Sequence, residues 1–259
     1  MRVIVTRPER EAQRWVAWLQ ARGVDAASLP LIEIRPPLDA LPLRRAWQRL
    51  DQFAAVMFVS ANAVAAFFRE QEAAAVPPWK AAGVTRAWAT GPGTAGALAD
   101  AGVPPSAIDA PPPDAPQFDS EALWRQVAGQ VRPGHRVLLV RGAGAGGQPA
   151  GRDWLAAQLQ QAGAEVEVVA AYVRGVPAWN PAQLAVARQA AQRNELWMFS
   201  SSEAVANLAG LLPGQDWSRA RAVATHERIA QAARDAGFGV VYLSRPGLDD
   251  VARTLESIG

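Results

Sequence analysis

Short apolar runs alternate along the chain with longer stretches in which apolar positions recur every three or four residues. The first pattern reads as buried strands and the second as amphipathic helices, so their alternation reads as βαβ units with parallel sheets. Strands are expected near 2–6, 29–34, 55–59, 86–89, 136–140, 165–170, 196–199, 221–224 and 239–243, with helices between most of them. Two helices are clear: 9–22, with Trp15, Trp18 and Leu19 on one face, and 152–162, with Trp154, Leu155 and Leu159 on one face. Gly23 and Gly163 stand where these helices should stop.

The pattern occurs twice. Val3-Ile4-Val5-Thr6-Arg7-Pro8, its helix and the apolar run Leu29 to Ile34 return as Val137-Leu138-Leu139-Val140-Arg141-Gly142, a second helix and Val166 to Tyr172. Met57-Phe58-Val59-Ser60-Ala61-Asn62-Ala63-Val64 returns as Met198-Phe199-Ser200-Ser201-Ser202-Glu203-Ala204-Val205. Offsets of 134 and 141 residues indicate a duplicated half-protein rather than a solenoid. The quarters run A, B, A′, B′. Arg35-Pro36-Pro37 ends A and Arg174-Gly175-Val176-Pro177 ends A′, each with a proline that stops regular structure. The expected architecture is therefore two similar flavodoxin-like α/β lobes with parallel sheets, one inserted in the other. Residues 1–35 with 175–259 form one lobe and 40–172 the other, joined by a two-stranded linker at about 35–39 and 172–177. A cleft between two such lobes suits a sizeable ligand. The Pro-rich stretch Pro104 to Pro116 reads as an extended, mobile surface loop.

Composition narrows the function classes. Of 259 residues 50% are hydrophobic and 19% charged, which suits a soluble globular protein with ample core. No apolar run reaches the roughly 18 residues of a membrane span, and the chain enters a strand at once, with no visible signal peptide. The absence of cysteine excludes disulfides and thiolate chemistry and fits a cytoplasmic protein. Net charge is only +2, and Lys80 is the sole lysine among 26 basic residues. The remaining arginines are scattered among acids, so no nucleic-acid arm is expected, yet they suit a carboxylate-rich ligand.

The echoed polar residues lie at predicted strand ends, where α/β proteins place ligands. Arg7 and Arg141 follow equivalent strands and are either carboxylate contacts or arginines that bridge a turn. Ser60 with Asn62, and Ser201 with Ser200, sit where a strand turns into a helix. They can bind an anion beside exposed N–H groups or simply cap the helix. Thr90-Gly91-Pro92-Gly93-Thr94 and Thr225-His226 end a third equivalent pair, and Gly91 would let a ligand approach the backbone. Gly142 to Gly147 holds a G-x-G-x-x-G, but Gln148, Pro149, Ala150 and Gly151 intervene before the helix, and the first copy has no glycines there. A dinucleotide fold needs the helix to start inside the run. His135 reads as a solvent-facing turn residue, Tyr242 as part of a core strand, and most of the ten tryptophans as core.

In order, the Thr-Arg-Pro opening, Phe-Val-Ser-Ala-Asn-Ala-Val, Ala-Thr-Gly-Pro-Gly-Thr-Ala, Leu-Leu-Val-Arg-Gly, Ala-Tyr-Val-Arg, Phe-Ser-Ser-Ser-Glu-Ala-Val and Ala-Thr-His-Glu-Arg-Ile-Ala resemble the bacterial uroporphyrinogen-III synthases over nearly the whole chain. The resemblance implies a cofactor-free, metal-free monomer that closes linear hydroxymethylbilane into uroporphyrinogen III, losing water and inverting ring D. It implies an azafulvene cation, a spiro intermediate and reclosure. It also implies that Tyr172 matches the tyrosine proposed to assist departure of the hydroxyl, and that substrate groups meet Arg7, Ser60, Asn62, Thr90, Gly91, Thr94, Arg141, Gly142, Ser200, Ser201, Thr225 and His226. The family's usual residues at the place of His226 are a glycine–proline pair, which argues against a required proton role there. The longer glycine turn leaves open whether Arg152 matches the family's last arginine. The echoed pairs are expected to face each other across one cleft, with Tyr172 breaking the symmetry. The rival readings are a non-catalytic two-lobe binding protein for an acidic small molecule, and a nucleotide-binding enzyme using Gly142 to Gly147.

Overall fold

The computed structural model of the chain describes residues 2–70, 85–144, 146–149, 153–193 and 195–258. Its contacts divide it into a discontinuous unit, Met1–Glu33 with Gly175–Gly259, and an inserted unit, Ile34–Arg174. The chain opens with β1 (Val3–Val5), α1 (Glu9–Gln20) and β2 (Ala26–Ser28). The strand β3 (Glu33–Arg35) straddles the first crossing. There follow α2 (Leu41–Gln48), β4 (Ala55–Phe58), α3 (Ala61–Phe68), β5 (Arg86–Ala89), α4 (Pro92–Asp100), β6 (Ile108–Asp109), α5 (Ser120–Val127), β7 (Arg136–Ala143) and α6 (Trp154–Gln161). The long strand β8 (Glu165–Gly175) ends at the second crossing. Then come α7 (Pro181–Gln192), β9 (Leu196–Phe199), α8 (Ser202–Leu211), β10 (Arg221–Ala224), α9 (Glu227–Asp235), β11 (Val240–Leu243) and α10 (Leu248–Ile258).

Local sequence explains the elements. Helix α1 carries Glu9 and Glu11 in its first turn, where the helix dipole favours acids, and buries Ala12, Trp15 and Leu19. It ends at Gly23, whose φ of 78° is the left-handed conformation that glycine adopts without strain; Val24 N–H returns to Leu19 O at 3.1 Å. Gly163 repeats this after α6, with φ 83° and Ala164 N–H on Leu159 O at 3.0 Å. The helix expected over 152–162 is thus present over Trp154–Gln161, and Arg152 lies outside the described residues.

The discontinuous unit holds a parallel sheet in the order β11-β10-β9-β1-β2. The inserted unit holds β3-β8-β7-β4-β5-β6. Its β8-β7-β4-β5-β6 portion follows the same spatial path, with β7 and β8 in the places of β1 and β2 and β4 to β6 in the places of β9 to β11. Both paths are the flavodoxin-like order, entered from different points of the chain. Each unit buries its own core. In the inserted unit, Trp47 and Phe58 pack edge-on against Phe67 with ring centroids 4.9 and 5.4 Å away. In the discontinuous unit, Trp197, Phe199, Trp217 and Phe238 form a second aromatic cluster.

Four expectations need correction. The run Leu29 to Ile34 is not one strand: β2 ends at Ser28 and β3 starts at Glu33. Pro30 lacks an N–H for the ladder; the N–H groups of Leu29 and Leu31 on either side still donate to Val5 O and Thr6 O at 3.0 and 3.2 Å, and side chains hold the carbonyls of Pro30 and Leu31. Trp179 Nε1 donates to Pro30 O at 2.9 Å and Asn207 Nδ2 to Leu31 O at 2.8 Å. The Pro-rich stretch contributes the edge strand β6 and buries Ala115, so it is not wholly a free loop. Tyr242 lies on β11, an edge strand with Val240 and Leu243 about half exposed, and not in a central strand. His135 is half-buried, because its N–H and C=O tie the turn to Arg132 and Glu165. Trp15, Trp47, Trp88, Trp197 and Trp217 are buried as core, and Trp79 lies outside the described residues, as does Lys80.

Candidate active site

In an open parallel sheet the strand order reverses at one point, and loops leaving the carboxyl ends there splay apart to leave a crevice. In the discontinuous unit this point lies between β1 and β9, and in the inserted unit between β7 and β4. Arg7 and Ser200 with Ser201 follow the first pair, while Arg141 and Ser60 belong to the second. The duplication thus sets an arginine and a serine beside the switch point of each sheet.

The two arginines are held alike. Arg7 Nη1 meets Glu11 Oε2 at 2.9 Å, and Arg141 Nη1 meets Asp153 Oδ1 at 2.9 Å. Each carboxylate sits at the start of the next helix, where the dipole favours it. The Arg7 guanidinium also lies 4.3 Å from the Trp15 ring. Both side chains are largely buried, at 16% and 11% exposure, and the Nε of each is buried with no hydrogen-bond partner. Burial pushes the Arg7 guanidinium below its ordinary value, and the Glu11 carboxylate opposes that shift. A desolvated cation with spare donors is favourably met by an incoming carboxylate. Sequence reasoning misses Glu11 and Asp153; the four-residue spacing from Arg7 to Glu11 is the available signal for the first.

Ser60 is the N-cap of α3, its Oγ accepting from Ala63 N–H at 3.2 Å. Asn62 lies within the first turn of that helix and is half-buried. Ser201, not Ser200, is the equivalent cap on α8, accepting from Glu203 N–H at 3.2 Å. Thr90 Oγ1 donates to Val59 O at 3.3 Å and ties the ends of neighbouring strands together. Gly91 caps α4 with its α-carbon against Phe118, and Thr94 is buried in the first turn of that helix, at 7% exposure. Thr225 is also buried, and its N–H donates to Phe199 O at 3.2 Å. His226 is exposed and caps α9: its Nδ1 accepts from Arg228 N–H at 3.1 Å, which makes Nε2 the ring's donor.

Tyr172 is brought into this group by an irregularity that the sequence does not announce. Between β7 and β8 the register runs Arg141 opposite Ala170, then Gly142 opposite Tyr172, so Ala171 is an extra residue. Such a bulge re-aims the side chains that follow it. The Tyr172 ring lies over Gly142, where an added Cβ would come within 2.6 Å of Cε2 and Cζ. Tyr172 is only 4% exposed, and its hydroxyl is 3.1 Å from Ser60 Oγ. Ser60, Gly142 and Tyr172 therefore form one contact group within the inserted unit. The glycine run itself is no phosphate cradle: Gly142 and Ala143 still belong to β7, and α6 begins only at Trp154, well past Gly147. Ala145, Ala150 and Gly151 lie outside the described residues. Among the described residues no cluster of three or more His, Cys, Asp or Glu could hold a metal ion, and no helix is long and apolar enough to cross a membrane.

The profile of the uroporphyrinogen-III synthase HemD family matches residues 13–252. A uroporphyrinogen-III synthase of Synechococcus elongatus is 31% identical over 219 residues, which cover 83% of this chain and 77% of that protein. Two solved structures share the fold. That of uroporphyrinogen-III synthetase from Helicobacter pylori has a TM-score of 0.60 at 16% identity and covers 100% of both chains. That of a mutant uroporphyrinogen III synthase from Thermus thermophilus has a TM-score of 0.57 at 17% identity, covering 99% of this chain and 98% of the other. With a profile match spanning most of its length and a relative above 30% identity, the chain belongs to the uroporphyrinogen-III synthase family.

Proposed function

We propose that this chain is a uroporphyrinogen-III synthase acting as a cytoplasmic monomer, which cyclises hydroxymethylbilane to uroporphyrinogen III with inversion of ring D and loss of water. The observation that carries the reading is the pair of switch points, each flanked by a largely buried arginine with a free Nε donor and by a serine-capped helix start. Hydroxymethylbilane is a polycarboxylate. The arginines and the N–H groups at the starts of α3 and α8 are the groups that would grip acetate and propionate side chains. The substrate is reactive and closes unaided to the wrong isomer. Much of the catalysis is therefore orientation, which can supply several kcal/mol without a strong acid or base. Thr90, Gly91, Asn62, Ser200 and His226 lie beside these strand ends and complete the proposed contact set, while buried Thr94 and Thr225 support the backbone that carries it.

The test is to mix the protein with freshly made hydroxymethylbilane and identify the cyclised isomer. Type III product is expected. Binding without accelerated cyclisation would favour the binding-protein reading instead. Arg7→Ala and Arg141→Ala are each expected to raise KM about tenfold, the cost of one charged hydrogen bond. An unchanged KM in both would remove the arginines from the grip.

A further inference from the structure

We infer that Ser60, not Tyr172, presents a hydroxyl proton to the departing substrate hydroxyl, and that Tyr172 is a positioning residue acting through Ser60; this rests on the synthase reading above. Tyr172 is the more deeply placed of the two. It is 4% exposed, the bulge at Ala171 sets it opposite Gly142, and its ring fills the space a side chain there would need. Ser60 is half-buried and lies at the carboxyl end of β4 beside the switch point.

The hydroxyl arithmetic favours one direction. A serine Oγ has two acceptor positions and one proton. Ser60 Oγ accepts from Ala63 N–H at 3.2 Å and lies 3.1 Å from the Tyr172 hydroxyl. When Tyr172 donates, both acceptor positions are filled and the only remaining capacity of Ser60 is to donate. A hydroxyl that accepts twice is polarised into a stronger donor, and the helix N-terminus adds to that polarisation. The other unit shows what is special here. Ser201 makes the equivalent helix contact with Glu203 N–H, but β2, the counterpart of β8, carries Ala26, Ala27 and Ser28 and supplies no phenol.

The step balances. The C–O bond breaks with its electron pair on oxygen, and that oxygen takes the Ser60 proton as Ser60 takes that of Tyr172, so water leaves. When the macrocycle closes, the unsubstituted α-carbon of ring D releases a proton, which Ser60 takes up as it returns its own to the Tyr172 phenolate.

A double-mutant cycle on type III formation tests this, with kcat, KM and Tm measured for each variant. Ser60→Ala is expected to lower kcat about 100-fold, at the low end of general-acid effects. Tyr172→Phe is expected to lower it about 3- to 10-fold with KM within about twofold, the loss of one polarising hydrogen bond. In the Ser60→Ala background, Tyr172→Phe should cost nothing further. Ser60→Thr, which keeps the hydroxyl and the cap, should recover kcat. If Ser60→Ala does not fold, Ser60→Gly removes the hydroxyl while leaving an acceptable cap. An equal cost for Tyr172→Phe in both backgrounds would overturn the inference, because Tyr172 would then act independently of Ser60. A wild-type protein that makes no type III isomer would be a different failure, that of the synthase reading itself.

Discussion

Gly142 owes its place to a neighbour and not to its own backbone. A Cβ there would meet the Tyr172 ring at 2.6 Å and its hydroxyl at 3.0 Å, so Gly142→Ala must displace the phenol from Ser60. Overpacking of this kind costs about 1–3 kcal/mol. Gly142→Ala should therefore lower Tm and also lower kcat for type III formation; normal values of both would show that the ring relaxes freely. Arg7, Arg141, Ser60, Ser201 and Tyr172 are visible in the sequence, because a polar side chain that interrupts an apolar run at its end stands out from the core pattern around it. The contact of Tyr172 with Ser60 and Gly142 is not visible there. That contact depends on Ala171 being an extra residue in the β7–β8 ladder, and a one-residue bulge leaves no mark in an unbroken apolar run such as Val168 to Val173.

At the scale of elements, legibility tracked periodicity. Strands at 86–89, 196–199 and 221–224 and the two glycine-stopped helices appear where the apolar pattern put them. Leu29 to Ile32 form no strand although the run is apolar, because burial alone makes a run apolar and Pro30 has no N–H to give the ladder. The N–H groups of Leu29 and Leu31 reach Val5 O and Thr6 O, but the carbonyls of Pro30 and Leu31 are satisfied by side chains distant in sequence, which no local pattern encodes. Asn207 on α8 supplies one such bond, to Leu31 O at 2.8 Å. Asn207→Ala leaves that carbonyl unpaired and is expected to cost about 1–3 kcal/mol. In urea unfolding the midpoint should fall with no change in slope. An unmoved midpoint would mean that water replaces the amide at no cost.

At the scale of the whole molecule, the duplication produces the same spatial strand order twice from differently ordered quarters. The inserted unit is contiguous and has its own apolar core, including Leu43, Trp47, Phe58, Phe67, Leu138 and Val140. Residues 34–174 expressed alone should thus unfold cooperatively in urea, yet make no type III product, because the proposed contacts Arg7 and Ser201 are missing; a non-cooperative transition would show that this core depends on the other unit. The central claim is that this chain holds one reactive polycarboxylate in the conformation that closes with ring D inverted. The most direct measurement is the isomer ratio after incubation with fresh hydroxymethylbilane, set against a protein-free control. The account predicts predominantly type III with the protein and type I in the control, and type I in both would contradict it.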